Sequence, residues 1–146
     1  MSIEELVAEG TIHVFDAKPA EIERVMEIAR RDLAVAEKVA AESLDWAYTI
    51  SYNAVLQACR GYMFRLGYRP AAAEAHRSTL RFMRLVVDEP MKRSIDYFDR
   101  VRRKRHRMVY DEVGLASERE VKQLVETAKE FLAYVERSIH ERRPHL

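Results

Sequence analysis

The segment from Asp99 to Asp111 concentrates the groups able to move protons and hold anions. Six basic residues, Arg100, Arg102, Arg103, Lys104, Arg105 and Arg107, fall within eight positions, and His106 sits among them. An imidazole titrates near neutral pH and can transfer protons. A guanidinium can grip a phosphate through two parallel hydrogen bonds. Cleaving RNA without a metal requires both, a base for the 2′-hydroxyl and cations for the charge that builds on phosphorus. The spacing adds geometry. On a helix, Arg102, His106 and Tyr110 follow one another at steps of four and form one stripe, and Arg103 neighbours His106 at a step of three. Tyr110 could stack on a base or hydrogen-bond to phosphate. The same run also reads as a solvated helix face paired with acids, and a histidine one turn from a tyrosine as a structural pair. Like charges this dense cost helix stability, so something should compensate, and an anionic partner is one candidate.

No other residues form a comparable cluster. His76 shares a stripe with Leu80 and Met83, which suits a core or interface histidine. His13, His140 and His145 have no metal-ligand spacing, so neither a metal nor a cofactor is expected. Cys59 lies in an apolar helical pattern and reads as a small buried hydrophobe. With one cysteine, no disulfide can form within the chain, which favours a reducing, cytoplasmic setting. The Tyr48, Tyr52 and Tyr62 set reads as core or dimer interface. Glycine-rich phosphate loops and nucleophile elbows are absent from the sequence.

Those side chains have to be held by helices. Ser2 to Glu5 fits a capping box and Gly10 a helix stop, giving a short first helix. Thr11 to Asp16 reads as a loop, because no other stretch offers itself as a partner strand. Pro19 opens a helix carrying one apolar stripe, Ile22, Val25, Met26, Ala29, Leu33, Ala36 and Ala40. Ser43 and Asp45 restart the chain. From Leu44 to Leu66 apolar residues surround the helix, as expected of a central, buried one, and Gly67 stops it. Further helices are expected from about Ala71 to Val87, from Pro90 to about Val113, and from the capping box at Ser117 to Ile139, before a polar tail at 141–146.

The whole is read as all-α, an up-and-down bundle of four to five main helices plus a short N-terminal one. At 146 residues, 48% hydrophobic and 34% charged, the chain suits one globular domain able to bury a core. Its net charge of +1 excludes a molecule that binds nucleic acid by overall charge, so anion binding must come from the local cluster. No stretch approaches the roughly 20 apolar residues of a membrane span.

These residues resemble the HEPN superfamily. Arg100, five residues and then His106 is similar to its Arg-x(4–6)-His motif. His106 to Asp111 resembles the Arg-His-x-x-x-Tyr-Asp ending of its small bacterial and archaeal members. Ser51 to Ala58 is similar to their Ser-Tyr-x-Ala-x-x-x-Ala core helix, and His76 precedes Phe82 as in a further pattern they carry. The resemblance covers about Ile3 to Ile139. It implies a helical bundle that forms a homodimer, with two motif copies facing each other across a cleft. It further implies metal-independent endoribonuclease activity, often as the toxin of a toxin–antitoxin pair whose antitoxin is a small nucleotidyltransferase. Carried over by position, Arg100 holds the scissile phosphate and His106 is the general base or acid. Arg102, Arg103, Arg105 and Tyr110 are candidates for phosphate and RNA contact. Which arginine is functional stays open, because Arg100 lies about 120° around an ideal helix from His106, whereas Arg102 and Arg103 are better placed. Other members of the superfamily are non-catalytic modules that bind a nucleotidyltransferase-like partner or RNA, and that is the alternative reading.

Overall fold

The structure, a computed structural model, describes residues 1–72, 75–110 and 113–141. Helix α1 (Ile3–Glu9) starts where the Ser2 hydroxyl accepts the Glu5 amide, and ends at Gly10, whose φ of 79° only glycine adopts without strain. Helix α2 (Pro19–Val39) buries Val25, Met26, Ala29, Leu33 and Ala36, the stripe expected from its spacing. Helix α3 (Leu44–Leu66) is capped by Ser43 and stopped by Gly67. Helix α4 spans Ala75–Val86, α5 Glu89–Tyr110 and α6 Glu118–His140, the last capped reciprocally by Ser117 and Glu120.

α3 is the central helix. It packs along α2 and α6 and also meets α4 and α5. Its buried residues, among them Tyr48, Tyr52, Val55, Cys59, Tyr62 and Met63, cover most of its circumference, leaving one face of Trp46, Ile50, Asn53, Gln57 and Arg60 not fully buried. That is how an element with so narrow a polar face reaches the middle of a bundle. Gly61 leaves room for the Met26 side chain of α2, because a Cβ there would meet the Met26 sulfur at 2.6 Å. The three tyrosines are core residues, each at most 4% exposed, and Cys59 is fully buried.

One expectation is overturned. Thr11 to Asp16 is not simply loop: β1 (Ile12–Val14) pairs antiparallel with β2 (Tyr68–Pro70), matching Ile12 with Pro70 and Val14 with Tyr68. Three-residue strands are too short to show alternation. The partner was hidden because Gly67 and Pro70 read as helix-stop signals. A proline is tolerated in so small a sheet because both strands are edges. The ribbon ties the end of α3 to the start of the chain, and Phe15 N–H adds a 2.8 Å bond to the Gly67 carbonyl. Among the described residues, no helix is long and apolar enough to cross a membrane.

Candidate functional site

The chemistry-bearing segment lies on the second half of α5, and that helix is anchored by its inward face. Ile95, Phe98, Val101 and Met108 are buried there. Phe98 meets Phe131 of α6 edge-on, with ring centroids 5.2 Å apart. Lys104 forms an ion pair with Glu120 at the start of α6, which holds the Glu120 carboxyl below its usual range, and its ammonium lies 6.0 Å from the centre of the Tyr48 ring. Beyond the helix end, the Asp45 carboxylate of α3 accepts the amides of Gly114 at 2.7 Å and Ala116 at 3.1 Å. α5 is therefore tied to α6 at Phe98 and Lys104 while packing chiefly on α4 and α3, and the chain that follows it is pinned to α3.

The outward face carries His106, Arg102, Arg103 and Asp99. His106 is exposed. Asp99, one turn before the arginines, accepts a 3.0 Å hydrogen bond from Arg102 Nε and lies 3.5 Å from an Arg103 terminal nitrogen. Both cations thus pair with an acid of their own helix rather than with a neighbouring one. Arg103 remains well exposed, at 64%, whereas Arg102 is held closer in, at 28%. Arg102 and Arg103 therefore share the outward face with an exposed imidazole, Arg102 the more enclosed of the two.

Arg100 stands apart from this group. α5 runs without a break from Glu89 to Tyr110, so the six-residue step leaves Arg100 about 120° from His106. Its guanidinium sits 5.8 Å from the Tyr97 ring centre instead. Burial raises the Tyr97 hydroxyl to about 12, so that ring is neutral at ordinary pH and serves Arg100 as a π surface. Tyr110 is the last residue of α5, and its side chain lies outside the described residues, as does Asp111.

Arg105 points the other way. Phe98, Val101, Arg105 and Met108 follow at steps of three and four, so the arginine occupies a place in the core-facing stripe. Its guanidinium carbon lies 5.8 Å from the Tyr52 ring centre, and its Nε is buried without a hydrogen-bond partner. Tyr52 in turn packs against His76 of α4, with centroids 5.7 Å apart. Burial first, then the charges of Arg105 and Arg102, lower the His76 pKa. The signal for this inward group was in the sequence, an arginine inside an apolar stripe, but the density of charge around it obscured the stripe. Among the described residues, no cluster of histidine, cysteine and carboxylates could hold a metal ion.

A family model described as the HEPN domain matches residues 22–138, which includes the whole of α3, α4 and α5. Comparison with curated proteins gives no match. Comparison with solved structures gives none either.

Proposed function

Because the chain belongs to the HEPN domain family, we propose that it is a metal-independent endoribonuclease. In this reading it is the toxin of a toxin–antitoxin pair, acting at a cleft between two copies of the chain and opposed by a nucleotidyltransferase-like antitoxin. The observation that carries the activity is the exposure of His106 on the same outward face as Arg102 and Arg103. The imidazole takes the proton of an RNA 2′-hydroxyl. The freed oxygen bonds to the adjacent phosphorus, and the bond from phosphorus to the 5′-oxygen breaks. A second proton donor supplies the leaving oxygen, and in a two-fold cleft the other copy brings the matching imidazole. The products are a 2′,3′-cyclic phosphate and a 5′-hydroxyl, so neither a metal nor external oxidant is consumed. Arg102 and Arg103 stabilise the charge on phosphorus during transfer. Trp46, 62% exposed, and Val113, 90% exposed, line a cavity with Met108 beside the end of α5 and support a contact between copies there.

The alternative is a non-catalytic module that binds RNA or a nucleotidyltransferase-like partner. The Asp99 carboxylate favours it to a degree, because it offsets part of the charge of both arginines. The test is an RNA cleavage assay with EDTA present, comparing wild type with His106→Ala after circular dichroism shows both to be folded. Cleavage that vanishes in the variant supports the enzyme. Intact RNA across a broad panel of substrates with wild type rejects it.

A further inference from the structure

The junction of α3, α4 and α5 contains two buried polar groups with nothing to bond. Tyr52 is fully buried, and its hydroxyl has no hydrogen-bond partner; Arg105 Nε is buried beside it and equally unmatched. Such groups are rare in folded proteins because each costs stability, so a pair of them in contact calls for an explanation. They do not satisfy one another: the guanidinium carbon lies over the tyrosine ring, 5.8 Å from its centre, and both polar atoms stay without a partner. Nε–H can only donate, so what the site lacks is an acceptor. Its electrostatics ask for a negative one. Arg105, Arg102 and the half-buried His76 gather around Tyr52, and Asp99 is the one carboxylate acting on it. His76 belongs to the first turn of α4, whose positive dipole end adds to the same field.

We propose that Tyr52, His76 and Arg105 form a binding site for one phosphate group, with Arg102 at its edge. A tetrahedral phosphate has oxygens for a hydroxyl, a guanidinium and an imidazole arriving from three helices, and an anion there balances the arginines. His76 is only half-buried, so an anion would reach the group from its side. The site deepens the ribonuclease reading, since it offers a hold for a phosphate of the bound strand away from the one being cleaved. It depends on that reading only for the source of the phosphate, and His106 takes no part in it.

The experiment follows the His76 ring signals by NMR in the full chain. One arm adds inorganic phosphate and the other a short, uncleavable 2′-O-methyl oligonucleotide without terminal phosphates. The expected result is a saturable shift of His76 and an upward move of its titration midpoint, because the anion offsets Arg105 and Arg102 while Tyr52 and Asp99 stay in place. A response to the oligonucleotide assigns the site to an RNA strand; a response to inorganic phosphate alone assigns it to a free phosphate or phosphomonoester. Tyr52→Phe should weaken binding about tenfold or more, the equivalent of one lost hydrogen bond to a charged group. The same change should raise the melting temperature of the unliganded protein by about 2–5 °C, since it removes an unmatched hydroxyl and keeps the ring. His76→Gln, read by isothermal titration calorimetry with inorganic phosphate, should also weaken binding. An unmoved His76 in both arms, or equal affinity in wild type and Tyr52→Phe, overturns the proposal. His106→Ala separates the two ideas: loss of cleavage there with the His76 response intact tests the ribonuclease alone.

Discussion

Arg102 is tied to Asp99 by a 3.0 Å hydrogen bond from its Nε, and the same carboxylate lies 3.5 Å from Arg103. The basic run is therefore not a row of like charges left to repel one another; one acid, a turn upstream, offsets two of them. In Asp99→Asn the shape is retained and the charge is lost. Both arginines then become fully available to phosphate, and single-stranded RNA should bind severalfold tighter at low salt. The dependence of log affinity on log salt should steepen by about 0.7 for each arginine that gains a phosphate contact. Fluorescence anisotropy over a salt series reads both quantities. Unchanged affinity and slope would show that the outward face does not contact RNA.

The arginine that matters should be the one on the histidine's side of α5. Arg100 fits the motif by count, but it is turned about 120° away and sits over Tyr97. Arg102 lies one turn before His106 and is held in place. Arg102→Gln should lower the cleavage rate by about 10²–10³, the usual loss when one preorganised donor to a developing oxyanion is removed. Arg100→Gln should leave most of the rate. Single-turnover cleavage of one RNA substrate by the two variants decides the matter, and the reverse order would mean that Arg100 reaches the phosphate across the two-copy cleft.

Trp46 gives the dimer a test of its own. A tryptophan 62% exposed next to Val113 and Met108 is an unusual investment for a solvated surface. Trp46→Glu places a charge at that spot, and a charge buried without a partner in an apolar contact costs several kcal/mol. Wild type should run as a dimer in size-exclusion chromatography with light scattering, and Trp46→Glu as a monomer with unchanged helicity. A variant that remains dimeric places the two-fold contact elsewhere.

The helices were readable because their signals are local. Ser2, Ser43 and Ser117 cap, Gly10 and Gly67 stop, and the α2 and α6 stripes repeat at the helical period. The β1–β2 pairing was not, because its two strands are three residues each and lie far apart in sequence. On α5 the spacing predicted the Arg102–His106 stripe, and the structure keeps both on the outward face. Asp99 was visible as a residue but not as a partner, since its reach to two arginines depends on their rotamers. Arg105 was expected among the phosphate contacts of the outward run. Its inward aim depends on where the core lies, and only the packing of α5 on Tyr52 and Phe131 shows that.

His76 should make the fold acid-sensitive. Burial chiefly, and then Arg105 and Arg102, lower its pKa below the ordinary 6.5. Tyr52 faces it as a neutral phenol, its own ionisation pushed up by burial, and Asp99 opposes the two arginines without reversing them. Between the lowered folded value and 6.5, the unfolded chain binds a proton that the folded chain refuses. Stability therefore rises with pH across that interval and is lost as the pH falls through 6.5 toward the folded value. In His76→Gln that contribution disappears. Urea midpoints measured at pH 7.5 and at pH 5.5 should differ less in the variant than in wild type. Equal differences would show that the imidazole is as easily protonated in the folded protein as in the unfolded one, and that burial and the two arginines together do not disfavour its charged form.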